Sequence, residues 1–468
     1  MNKILNKISI PVTALMLLMA SCSKDFTDRN PLGSINTGDA ITTELALQNA
    51  LNGAYSGMRS VGVYGRDFPV IGDIQADNGF IEGVNSGRYI PQFQYNFTAT
   101  DGTYTEMWDN VYTVILRANT VIDADVKGDN VDAIKAQAYA IRALMYFKLV
   151  NAYARPYTDN PDDTGVPLVL HYDPNIKPSR NTVKEVYAQI ISDYKTAFET
   201  APDYTNSITL SKYAIEGLLA KAYLYMDDNV DAKNAAVDVI NNSEFSLVSF
   251  DKYDDFWTNP GIQTDAVEVM FEIDQDIINN NGPDDLGGIY VDTYQDIYAS
   301  SDLYDLYSAT DIRQSVLIPY YTKAGVPAVI VYKYQNENNT KDKDNIKVLR
   351  LSEVYLIAAE ASLPGNEDDA LAYLNALVQT RDPAFAGYNS TGSDLLNDIV
   401  TERRKELAFE GDRFYDLNRL QRDITRVANN GSIPAPLSIT YSDFHRIAPI
   451  PKTELQANPN IQQNPGYQ

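Results

Sequence analysis

A single cysteine, Cys22, in 468 residues excludes an intramolecular disulfide framework and a cysteine-rich zinc site. Only two histidines occur, His171 and His445. They stand far apart without acidic or cysteine companions at ligand spacing, so they read as structural and leave little for His-based metal or Ser-His-Asp chemistry. Basic residues are short as well. The 38 Lys and Arg against 63 Asp and Glu give a net charge of −25, the wrong sign for a nucleic-acid partner. Neither a G-x-S-x-G elbow nor a glycine-rich phosphate loop is present. Asp274, Asp276 and Asn279 lack the spacing and the glycine of a calcium loop. The sequence therefore points to no metal and no cofactor. A glycosidase survives these exclusions, because it needs only two carboxylates.

What is present is a chain able to bury a large core, with 44% apolar and 22% charged residues. Its aromatic inventory is 33 Tyr, 15 Phe and 2 Trp. Tyrosine this abundant on an acidic chain fits a surface that stacks on sugars or peptides, although it also fills helical cores. Residues 1–21 carry Lys3 and Lys7 ahead of an apolar run, Ile8 to Ala20, that is too short to span a bilayer. They read as a signal peptide. The frame Leu18-Met19-Ala20-Ser21-Cys22 resembles a lipobox, which makes Cys22 the lipidation site and the mature N-terminus. Cleavage would leave 36 basic against 63 acidic residues, a net charge of −27. Residues 22–36 read as a lipidated tether, and Lys24-Asp25 resembles a surface-export signal.

Helical periodicity then dominates residues 37–241. Expected helices are Ile41–Met58, Tyr104–Val126, Asp129–Arg155, Thr182–Thr200, Ser211–Met226 and Val230–Asn241. Helices return over residues 348–468 at Val348–Leu363, Asp368–Arg381 and Ser393–Asn429. The last is broken near Gly411, and an extended tail follows from Ile447. Two segments do not fit: Gly62–Asp101, which reads as a long structured loop, and residues 242–347, which break into short aromatic-rich pieces. Helix pairs of roughly 35 to 45 residues predict a mainly α, TPR-like scaffold with these two segments as insertions in one integrated body.

Six stretches in order resemble the SusD/RagB family of outer-membrane nutrient-binding lipoproteins. They are Ala138 to Phe147, Gly165-Val166-Pro167-Leu168-Val169, Gly217 to Leu224, Arg350 to Ala361, Glu402 to Leu417 (ERRKELAFEGDRFYDL), and Pro449-Ile450-Pro451 with Asn464-Pro465-Gly466-Tyr467. The resemblance implies a TPR-like fold and a lipid anchor in the cell outer membrane, exposed at the surface. It implies a SusC-like TonB-dependent transporter as partner and a glycan or peptide as ligand. It brings no catalytic residues. The alternatives are a surface glycoside hydrolase and a TPR-like interaction scaffold without a small ligand.

Within this frame the charge-dense run Glu402 to Arg419 reads as ion pairing, with Glu406, Glu410 and Arg413 paired along a helix face. Arg350, Glu353 and Glu360 read as partners holding helix to helix. Trp108 is expected in the core. Ligand is expected between the first irregular segment, at Asp77, Asn78, Arg88 and Tyr89, and the second, at Trp257, Tyr290 and Tyr294. Tyr290, Tyr294 and Tyr298 would stripe one helix face.

Overall fold

The computed structural model describes residues 41–467 apart from Pro174, Glu337 and Lys341. The signal peptide, Cys22 and the tether lie outside the described residues. Long helices build the frame, and local signals place their starts. The Thr43 hydroxyl accepts from the Ala46 amide at 3.2 Å and opens α1 (Glu44–Met58). After α2 (Asp67–Ile74) and α3 (Ile90–Gln94), Asp101 caps α4 (Gly102–Asp123). Next come α5 (Val131–Tyr153) and α6 (Val183–Thr200), the latter opened by a full capping box of Thr182 and Glu185. α7 (Lys212–Tyr225) and α8 (Asn229–Asn242) complete the N-terminal series. Short helices α9 (Tyr253–Thr258), α10 (Leu286–Tyr290) and α11 (Ser301–Tyr304) lie in the second irregular segment. The C-terminal part holds α12 (Leu351–Ser362), α13 (Glu367–Arg381), α14 (Gly392–Glu406), α15 (Arg413–Arg419) and α16 (Lys452–Ala457).

Each long helix packs on the next: α1 on α4, α4 on α5, α5 on α6, α6 on α7, and α7 on α8. Then α8 packs on α12 and α12 on α13, so the stack skips residues 243–350 and resumes. That is the TPR-like scaffold expected from the helix pairs. α5 and α7 are buried along most of their lengths because they are sandwiched, whereas α6 keeps one polar face. A continuous core runs from Leu47 to Tyr467, and Trp108 sits inside it against Tyr112 and Tyr153.

The two irregular segments are not separate loops. Strand β1 (Gly79–Ile81) comes from the first. From the second come β2 (Val269–Ile273), β3 (Ile297–Ala299), β4 (Leu317–Tyr321), β5 (Pro327–Val331) and β6 (Ile346–Arg350). β1, β3, β5 and β4 form one antiparallel sheet in that order, with Phe80 opposite Tyr298 and Ala299 opposite Val329. β2 pairs with β6, and β7 (Ile424–Thr425) with β8 (Ser438–Ile439).

Other expectations change here. Gly62–Asp101 contains α2, β1 and α3 rather than an unbroken loop. The expected helix 393–429 is two helices ending at Arg419, with a turn at 407–412 where Phe409 has φ 63 and Gly411 φ 88, and β7 lies beyond them. α2 crosses that turn so closely that a side-chain carbon on Gly72 would strike the Gly411 carbonyl. Asp73 holds the crossing, accepting from the Phe409 and Gly411 amides at 3.0 and 2.8 Å. The tail from Ile447 also contains a helix, α16.

Candidate functional site

The charge-dense motif resolves into a buried lattice. Glu406 accepts from Arg350 at 2.8 Å, Arg381 at 3.0 Å and Arg313 at 3.3 Å. Glu410 takes Arg350 and Lys333, both at 2.7 Å. Glu353 meets Lys221 and Arg403, and Glu360 meets Arg419 at 2.6 Å. Arg413 turns away from Glu410 and grips Asp77 through two bonds of 2.8 and 2.9 Å. The pairs therefore cross between elements rather than run along one helix face, because α14 ends before Glu410. Burial alone would raise the Glu406 carboxyl, but the three guanidiniums hold it well below its usual range. Carboxylates so enclosed reach no substrate. The lattice joins α12, α13 and α14 to β6 and the segments before and after it.

The expected ligand residues separate into an enclosed group and a half-buried pair. Trp257 is 1% exposed and lies in a satellite core with Tyr253 and Phe256, beneath Lys333, Lys347 and Arg350. Tyr290 is fully enclosed, stacked on Tyr334 and edge-on to Phe409. Tyr89 is buried in the left-handed region (φ 59), and its hydroxyl donates to Asp67 at 2.5 Å. Asp77 and Asn78 are buried too. The first pairs with Arg413, and the second donates to Asp73 at 2.6 Å and accepts from Arg404 at 2.9 Å. None of these buried rings presents a free face, so Tyr89, Trp257 and Tyr290 are not placed to stack on a ligand as expected. Tyr290, Tyr294 and Tyr298 share no helix face, since α10 ends at Tyr290 and Tyr298 lies on β3.

Arg88 and Tyr294 do meet at the surface. The guanidinium lies 3.8 Å from the ring centroid and donates to Asp284 at 2.8 Å. This pair marks the edge of an open face where three segments converge. Gly83 donates to the Gly431 carbonyl at 2.8 Å, and a side-chain carbon on Gly431 would lie against Val326 at the tip of the β4–β5 hairpin. The hairpin is clamped from below. Glu82 accepts from the Ala324 amide at 2.8 Å, and Asp296 accepts from Lys323 at 3.2 Å and from Ser86. On β4, Tyr320 and Tyr321 stand 53% and 62% exposed, the large aromatics most open to solvent among the described residues.

Beside this face a cleft of about 240 Å³ opens between β1 and residues 427–437. Phe80, Phe93, Ile433 and Leu437 give it apolar walls; Ser300, Asn429 and Arg426 are among its polar groups. Asp77 is the one carboxylate lining it. Arg426 donates to the Ala76, Phe93, Ile74 and Gln75 carbonyls at 2.7 to 2.9 Å and lies over the Phe93 ring. A larger cleft of about 460 Å³ lies between α1 and β2. Its inner polar groups engage neighbours: Tyr55 donates to Gln137 at 2.9 Å, Glu272 accepts from Ser207 at 2.5 Å, and Arg59 bonds Asp274. The 427–437 wall was missed in the sequence, where residues to Asn429 were assigned to a helix. Asn429-Asn430-Gly431 and Pro434-Ala435-Pro436 were the turn signals that could have shown it.

His171 is at the surface, 2.9 Å from Asp123, and His445 packs among Tyr95, Phe97, Phe444 and Tyr467. Among the described residues no cluster of three or more His, Cys, Asp and Glu is arranged to hold a metal. No helix there is long and apolar enough to cross a membrane.

Comparison with known proteins was made on this geometry. Residues 25–224 match the family model described as "Starch-binding associating with outer membrane", and residues 253–467 match the SusD family model. SusD-like protein P2 of Formosa agariphila is 29% identical over 523 residues, covering 99% of this chain and 100% of the relative. A SusD superfamily protein from Bacteroides thetaiotaomicron superposes with TM-score 0.82 at 30% identity, over 92% of this chain and 100% of the other. One from Bacteroides vulgatus superposes with TM-score 0.84 at 28% identity and the same coverage. Similar in sequence along both halves and in fold over nearly the whole described body, the chain belongs to the SusD family.

Proposed function

We propose that this protein is a non-catalytic lipoprotein of the outer membrane that captures a glycan at the cell surface and passes it to a SusC-like TonB-dependent transporter. The observation carrying the reading is the open three-segment face, with its exposed tyrosines, the Arg88–Tyr294 stack and the adjoining cleft, on a chain whose family is described as starch-binding. Sugar rings offer apolar C–H faces to aromatic rings and hydroxyls to amides and acids. The site supplies both kinds of group.

The single carboxylate lining the cleft beside the open face supports binding without turnover there. Glycoside hydrolysis needs two carboxyl groups flanking the bond. In the cleft, Asp77 stands alone and is held ionised by Arg413 and Arg404 despite its burial. Attachment would come from acylated Cys22, at roughly 0.8 kcal/mol per buried methylene.

The test is calorimetry of the mature chain against neutral and acidic oligosaccharides, with product analysis at stoichiometric protein. Saturable binding without product is expected. Product that disappears on mutating one carboxylate would overturn the non-catalytic reading, and binding of peptides alone would overturn the glycan. Cys22→Ala should release the protein from the membrane fraction. Retention after a high-salt wash would refute the anchor.

A further inference from the structure

We propose that the cleft between β1 and residues 427–437 receives a carboxylated sugar ring, a uronate, with its carboxylate toward Arg426. This rests on the glycan-binding reading and adds the charge class of the ligand.

The argument starts from hydrogen-bond bookkeeping. Arg426 is nine-tenths buried, with 7% of its surface exposed, and it lines the cleft. A guanidinium carries five N–H donors and stays protonated. Four bonds from Arg426 end on the backbone carbonyls of Ile74, Gln75, Ala76 and Phe93. Carbonyls satisfy donors but carry no net charge, so the cation has no carboxylate bonded to it. One of its five N–H groups has no protein acceptor among the described residues.

The other charges around the cleft do not compensate. Asp77, the one lining carboxylate, is already bound by Arg413 at 2.8 Å and faces Arg404 at 3.5 Å. Arg404 in turn pairs with Asp302 at 2.8 Å. Three guanidiniums thus meet two carboxylates, leaving a single positive charge in a cleft on a chain of net charge −25. Arg350 and Arg381, also buried, are matched by acids, whereas buried Arg446 bonds only the Asn418 amide oxygen and the Arg422 carbonyl and does not line this cleft. An uncompensated cation facing a cleft is placed to bind an anion, and a neutral sugar leaves that charge unused. Carboxylate to guanidinium bonds are roughly twice as strong as neutral ones.

Ring size and wall chemistry narrow the anion. The cleft, at about 240 Å³, lies below the usual range for a whole oligosaccharide site and suits one ring with the chain continuing over the rim. Phe80, Ile433 and Leu437 offer apolar surface to a sugar's C–H face, and Ser300 and Asn429 offer polar atoms to its hydroxyls. The adjoining face with Tyr320, Tyr321 and Tyr294 gives neighbouring units a place to stack.

The decisive experiment varies the ligand. The mature wild-type chain is titrated calorimetrically with a short oligogalacturonate, the same oligosaccharide after reduction of its carboxylates to hydroxymethyl groups, a panel of neutral oligosaccharides, and a peptide as its free C-terminal acid and its amide. The uronate should bind at least tenfold more tightly than its reduced form, and Arg426→Gln should bring that ratio close to one. Since Arg426 also ties four carbonyls, the variant is used only if its thermal melt remains cooperative; the wild-type ratio decides alone otherwise. Equal affinity for acid and reduced forms, or binding of neutral glycans only, would overturn the uronate inference and leave the glycan reading standing. Binding of no glycan at all, or of the peptide acid alone, would overturn both.

Discussion

Arg350 and Arg426 are both buried guanidiniums, yet they face opposite surroundings. Arg350 is closed in by Glu268, Glu406 and Glu410, so its charge is neutralised inside the scaffold. Arg426 reaches only carbonyls and borders a cleft. The scaffold spends its charge on joining elements, as when Glu406 ties β6 and α13 to α14. The sheeted face leaves charge and aromatic surface open. The difference separates residues that hold the molecule together from residues available to a ligand.

The comparison breaks most visibly at Glu406. Glu406→Gln leaves Arg313, Arg350 and Arg381 short of a shared carboxylate and should destabilise folding by about 3–5 kcal/mol, read as the urea midpoint. A loss well under 1 kcal/mol would mean that the lattice does not brace the scaffold.

Acid should reveal the next effect. Burial alone would raise Asp416, but Arg403 and Arg419 hold it at about 2. Its folded value lies below the unfolded carboxyl near 3.9, so its contribution is present above pH 4 and lost as pH falls toward 2. About 2 kcal/mol should disappear across that window, and Asp416→Asn should flatten it. An unchanged pH profile in the variant would assign acid sensitivity to other carboxylates.

The open face should respond in the reverse sense. Tyr294→Ala is expected to leave folding within about 0.5 kcal/mol and to weaken glycan affinity about two- to tenfold. A large loss of stability instead would place the Arg88–Tyr294 stack with the scaffold. Smallest of all should be the stability change in Tyr321→Ser, whose ring is 62% exposed. A thermal midpoint that moves by more than a degree or two would show that the ring packs on something.

The helical frame was legible because its signals are local. Thr182 with Glu185 marks the start of α6, and Trp108, Tyr112 and Ile115 keep helical spacing through α4. The run 62–101 was read as a loop since α2 is short and buried on every side, so it shows no polar face to give periodicity. The sheet escaped for another reason. β1 and β3 are three residues each and come from distant parts of the chain, and no local pattern announces such a pairing.

The expected site met the same limit. Arg88 and Tyr294, one from each irregular segment, do meet. An irregular, aromatic-rich stretch, however, is as able to fold inward, as Trp257 and Tyr290 do, as to face solvent.

By itself the sequence determined the helical scaffold and the acidic character of the chain. Each follows from residue type and short-range spacing, which persist whatever the chain does elsewhere. Only the tertiary structure decided that Glu410 pairs with Arg350 rather than Arg413, that Trp257 is enclosed, and that Arg426 borders a cleft. Those outcomes depend on which distant segments arrive beside one another. A charge or ring acquires its role from the partners that reach it and from the water that does not.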